Sequence, residues 1–156
     1  MWLGDFILFL FLGIPPNSSI KRTCRRLFQA LGVMKLAQNQ VNPEALTLLA
    51  KEACDLLLNE NFLALANNFG YALSFGRAPA QAIALDFAES VKKAKPSIPN
   101  PKRGISIKYF NPNEIPLHAV IECVLPIGKD SAVLVEMVVS ENEHGKHITL
   151  EQICAT

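Results

Sequence analysis

The amino-acid sequence predicts an α+β domain, with about three N-terminal helices packed on a C-terminal antiparallel sheet of about four strands. Three observations carry this. Residues 117–140 read as two alternating strands, LHAVIECVL and SAVLVEMVVS, joined by the polar turn Gly128-Lys129-Asp130. Residues 42–93 place their apolar side chains at helical spacing instead. Between the two blocks, Pro96, Pro99 and Pro101 rule out helix and favour an extended connector. Helices first and strands afterwards is the order of a domain whose helices cover an antiparallel sheet.

Asn42-Pro43-Glu44 reads as a helix start, with a capping side chain, proline at the first helical position and an acidic first turn. Leu46, Leu49, Ala50, Ala53, Leu56 and Leu57 then form the buried stripe. Asn59-Glu60-Asn61 interrupts that helix. A shorter second helix presents Phe62, Leu65, Ala66, Phe69 and Leu73, and a turn containing Gly76 follows. Pro79 opens a third helix with Ile83, Ala84, Phe87, Ala88 and Val91 on its inner face. Beyond the connector, residues 105–110 are a strand candidate and Asn111-Pro112-Asn113 a turn. Residues 117–140 supply the long hairpin and residues 147–150 a last strand, with one helical turn over 150–154. No repeat and no low-complexity run occurs.

The chain has 156 residues, half of them hydrophobic and 19% charged, with a net charge of +1. That is enough for one domain with a real core, and it excludes both a disordered chain and one drawn to nucleic acid by its overall field. Cys24, Cys54, Cys123 and Cys154 form no CxxC pair. They read as small core residues of a protein in a reducing cytoplasm, and no cofactor is called for.

Residues 2–14, WLGDFILFLFLGI, are almost entirely apolar. About 20 such residues are needed to cross a bilayer as a helix, so the run is short for a span. A secretory signal would carry basic residues before it; here Asp5 is the early charge, and Lys21, Arg22, Arg25 and Arg26 come after. Three readings fit. The favoured one starts the native domain at Met34, leaving residues 1–33 as an extension and residues 34–156 as a single domain. The others make the segment an element docked on the domain or on a partner, or a membrane anchor with its basic cluster at anionic headgroups.

The element order of three helices and then a meander of long strands, over residues 42–155, resembles the nuclear transport factor 2-like (cystatin-like) group. That resemblance implies a bent sheet wrapped around the helices to form a cone. The group holds isomerases and dehydratases as well as non-catalytic binding and assembly domains, so it implies a fold more than an activity. The polar pocket residues of its catalytic members are not evident here as a set. Small immunity-type proteins, which block a toxin by direct binding, share the same outline.

The candidate chemistry lies on the hairpin. A three-residue loop at Gly128-Lys129-Asp130 sets Cys123 opposite Val135 and Ile121 opposite Met137, gathering all the purely apolar positions on one face. The same register forces Glu122 opposite Glu136 and His118 opposite Ser140, whereas a two-residue Gly128-Lys129 loop would put the glutamates on opposite faces and scramble the apolar one. Paired carboxylates near a histidine are what a general acid–base site uses, so these three are the catalytic candidates. The ordinary alternative, which the sequence favours, leaves both glutamates on a solvated face near a lysine such as Lys108. His144 and His147, after Glu141 and Glu143, are weak metal-ligand candidates in what reads as a turn around Gly145. Lys92, Lys93, Lys95, Lys102, Arg103 and Lys108 form a basic stretch suited to an acidic protein partner; with Tyr109 and Phe110 alone for stacking, nucleic acid is a poorer fit. No nucleotide-binding, nucleophile-elbow or zinc-protease motif is present.

The resulting expectation is a non-catalytic protein-binding or assembly domain, accessory or immunity-like, working with a protein partner or as a homo-oligomer. A small-molecule-binding or isomerase/hydro-lyase-like enzyme with a cone-shaped pocket is the runner-up. Membrane association through residues 2–26 is the third.

Overall fold

In the computed structural model, residues 33–96, 101–111 and 116–156 are described. The three readings of residues 2–14, and Cys24, lie outside them. The described chain forms β1 (Met34–Leu36), α1 (Pro43–Leu58), α2 (Phe62–Phe69), α3 (Pro79–Lys93), β2 (Gly104–Tyr109), β3 (Leu117–Pro126), β4 (Ala132–Asn142) and β5 (Gly145–Ala155). The class is the expected α+β, but the sheet has five strands rather than four, in the order β1-β5-β4-β3-β2, every pair antiparallel. No helix among the described residues is long and apolar enough to cross a membrane.

Local chemistry sets the helix ends. The Asn42 side chain accepts from the Ala45 N–H at 2.8 Å and Pro43 occupies the first turn, so α1 begins where the sequence places it. Glu60 takes a left-handed conformation (φ 55°), and Asn61 caps α2 by accepting from Ala64 N–H. Leu46, Ala50, Ala53, Cys54 and Leu57 of α1 are buried, as are Leu65, Ala66 and Phe69 of α2.

The inner face of α3 differs from the expected stripe. Ala82, Ile83 and Ser90 are buried, Phe87 packs on the core, and Val91 is exposed. The helix is rolled by hydrogen bonds that apolar spacing cannot reveal. Asp86 accepts from the Tyr71 hydroxyl at 2.8 Å and from both terminal guanidinium nitrogens of Arg77 at 3.2 Å. The Ser90 hydroxyl lies 2.7 Å from the carbonyl of Asp86 and 3.1 Å from that of Ile153 on β5.

The long hairpin has the expected register. Ile121 faces Met137, Cys123 faces Val135 and Glu122 faces Glu136, and the Ile127 N–H to Ser131 carbonyl bond closes the loop over Gly128, Lys129 and Asp130. Ala119, Ile121, Cys123 and Leu125 of β3, and Val133, Val135, Met137 and Val139 of β4, are buried beneath the helices. On α1, Cys54 meets Cys123 of β3 directly. The Cys123 thiol donates to the Cys54 sulfur, which lowers the pKa of Cys54 and, with burial, raises that of Cys123. Arg103, 2.8 Å from Asp55, adds a nearby positive charge.

The C-terminal region departs from expectation. In place of a short strand and a helical turn, β5 is continuous over eleven residues. Its register shifts opposite Glu136 and Met137, so that Leu150 pairs with Met137 and Gln152 with Glu136, leaving Glu151 as the extra residue of a bulge. Gly145 opens β5 at φ 112°, a conformation closed to most side chains, and an added Cβ would meet the Lys35 side chain at 3.1 Å.

Candidate functional site

With one face of the sheet beneath the described helices, the side chains that alternate with the core residues point the other way, onto a face called open here because no described helix covers it. Val120 and Val124 of β3 and Leu134 and Val138 of β4 are half-buried there, among polar neighbours. Across its centre runs a polar ladder. Ser106 pairs with Glu122, Glu122 with Glu136, and Glu136 with Gln152, one residue from each of the four long strands. The Ser106 hydroxyl is 3.3 Å from a Glu122 carboxylate oxygen, and Gln152 hydrogen-bonds Glu136.

The sequence thus finds the glutamate pair and its face, and the structure adds partners no motif signals. Ser106 and Gln152 are reached only by pairing across strands. The bulge brings Glu151 close enough to feel the charge of Glu136. The pKa of Glu136 is raised above the ordinary glutamate value, first by burial and then by Glu122, while Gln152 opposes the rise. That of Glu151 is raised by burial and then by Glu136. Burial and Glu136 likewise raise the pKa of the Cys154 thiol, which lies half-buried opposite Leu134 on this face rather than in the core.

The direction of the Glu136 shift fixes a pH dependence. A carboxyl whose folded pKa lies above its unfolded one costs no stability while protonated in both states; it weakens the fold as pH rises through the folded value. Replacing Glu136 with Gln is therefore expected to stabilise the protein at pH 7 by roughly 0.5–1 kcal/mol, the scale of an opposed like-charge strand pair, and to have no such effect near pH 3. Urea unfolding at the two pH values measures this.

His118 does not join the glutamates. The register slips between Leu117 and Ala119, so Leu117, not His118, stands opposite Ser140, which also pairs with His147. The His118 ring packs edge-on against Tyr109 at 5.6 Å between centroids, and its pKa is lowered by burial and by Lys146, with Glu141 opposing. Its Nδ1 and that of His147 are buried without a hydrogen-bond partner among the described groups. The expected catalytic trio is therefore two glutamates on the open face and a histidine against Tyr109.

His144 sits in the tight turn between β4 and β5, where its N–H donates to the Asn142 side chain and its Nε2 is 3.5 Å from Glu143. His147 lies inside β5. Among the described residues no three His, Cys, Asp or Glu side chains are grouped to hold a metal ion. The basic stretch divides into two parts. Lys92 and Lys93 end α3, with Lys93 2.9 Å from Glu89, and Lys95 is exposed just beyond. Arg103 is held by Asp55, Lys102 is exposed beside it, and Lys108 on β2 lies over the Phe110 ring at 5.2 Å. A shallow depression on the outside of α1, lined by Pro43, Glu44, Thr47, Leu48 and Lys51, contains none of the candidates.

The open face can bring apolar side chains, a central carboxylate pair and two amide or hydroxyl partners to bear on another surface at once. In the comparisons with known proteins, no family model, no curated protein and no solved structure matches this chain.

Proposed function

We propose that the chain is a non-catalytic protein-binding or assembly domain, accessory or immunity-like in character, whose main contact surface is the sheet face opposite the helices. One observation carries the reading: Glu122 and Glu136 lie together on that face, amid half-buried Val120, Val124, Leu134 and Val138, and not among the core side chains under the helices. An apolar field with fixed polar groups at its centre suits a protein surface, with the polar groups setting register. The cone-pocket enzyme reading would need both carboxylates and His118 to converge on an enclosed space. The helix-covered side of the hairpin is instead filled by Ile121, Cys123, Val135 and Met137. The helices-then-sheet order supports keeping the nuclear transport factor 2-like resemblance as part of this proposal, at the level of architecture.

The test compares tagged full-length protein with a Leu134→Lys/Val138→Lys variant and a Leu48→Lys control on the outside of α1. The expected result is a partner, or a second copy, retained by the parent and the control but lost by the sheet-face variant, with all three unfolding at similar temperatures. Retention by the sheet-face variant would overturn the reading.

A further inference from the structure

The β2 edge of the sheet, unpaired among the described residues, is a second surface. The Phe110 N–H donates to the His118 carbonyl at 3.0 Å, continuing the pairing of Gly104–Tyr109 with β3. In an antiparallel ladder, residues two apart turn both backbone groups the same way. Lys108, Ser106 and Gly104 therefore face β3, and Ile105, Ile107 and Tyr109 present their N–H and C=O groups outward. No other described strand pairs with them. The opposite edge, β1, is only three residues long, so β2 is the edge with room for another strand.

Charge indicates what can lie there. Lys102 precedes the strand and Lys108 sits near its end; neither forms an ion pair among the described residues, whereas Arg103 is taken up by Asp55. Lysines at a sheet edge oppose pairing with a second copy, because both edges would bring the same charge. They favour an acidic strand. The side chains alternate as well: Ile105 and Ile107 pack toward the core, while Ser106 and Lys108 are exposed on the open face.

We propose that the outward edge of β2 accepts an extended acidic segment of a protein partner as an added strand, with apolar residues beside Ile105 and Ile107 alternating with acidic ones beside Ser106 and Lys108. Backbone hydrogen bonds supply the adhesion and the alternation supplies the selectivity. This extends the protein-binding reading but uses different residues, so the two can fail separately.

Fluorescence anisotropy of the full chain with a capped, labelled Val-Glu-Val-Glu-Val-Glu peptide tests it. The peptide is expected to bind, more weakly as salt rises. N-methylation of one alternate set of its amides should weaken binding by roughly tenfold, and methylation of the other set should change it little, since only one set faces the edge. Lys102→Glu/Lys108→Glu should lower affinity by a similar factor with an unchanged circular dichroism spectrum, and Leu134→Lys/Val138→Lys should leave it intact. Equal binding by both methylated peptides, or by a Lys-for-Glu peptide, would reduce the effect to general stickiness and overturn the proposal. Absence of binding at about millimolar peptide, the weak limit for a specific contact, would also overturn it.

Discussion

Asp86→Ala is expected to destabilise the protein by about 1–3 kcal/mol, chiefly through Tyr71, whose hydroxyl loses its acceptor while the side chain stays in the core. Tyr71 is 1% exposed and its phenol pKa is raised, first by burial and then by the Asp86 hydrogen bond. Asp86 also receives Arg77, whose guanidinium reaches the Ser74 and Leu73 carbonyls, so one carboxylate ties the turn after α2 to α3. The hydroxyl makes the prediction specific. Tyr71→Phe in the Asp86→Ala background removes the orphaned donor, and the double variant should be more stable than Asp86→Ala alone. A double variant as unstable as the two losses added together would show that the clasp does not act through this bond.

The second large effect contrasts neighbouring residues. Ile121→Ala should cost about 2–5 kcal/mol, because the side chain is fully buried between Ile107 and Met137 and its loss leaves a cavity beneath the helices. Val120→Ala, one position away on the open face, should cost less than about 1 kcal/mol, since its side chain is only half-buried. Denaturant unfolding of the two variants reads out the two faces of the strand. Similar costs would mean that the outer face of β3 is packed as tightly as the inner one.

The hairpin was legible because a strand has period two and a one-residue slip would have turned the apolar set of one strand, Ile121 and Cys123 or Val135 and Met137, out of the core face. The same constraint located the glutamate pair. The misplaced parts are those where an irregularity or a polar contact overrides periodicity. His118 is displaced by the slip after Leu117. The Glu151 bulge makes both Leu150 and Ile153 face the core, a spacing of three that imitates a helix and conceals the end of β5. The roll of α3 is set by Asp86 and Ser90, polar residues that an apolar stripe passes over. In β1, Met34, Lys35 and Leu36 are too few to carry a pattern, and the strand exists through its pairing with Ile148, His147 and Lys146. Ser106 and Gln152 become part of the site only once four strands are placed side by side.

These elements converge on one geometric claim, that Glu122 and Glu136 stand opposite each other on the face away from the described helices. Carboxyl-carbon NMR titration of Glu136, in the parent and in Glu122→Gln, tests it most directly. The expected result is a midpoint above the ordinary glutamate value in the parent and a lower one in the variant, still raised by burial but relieved of its neighbour's charge. An identical Glu136 midpoint in the two proteins would contradict it.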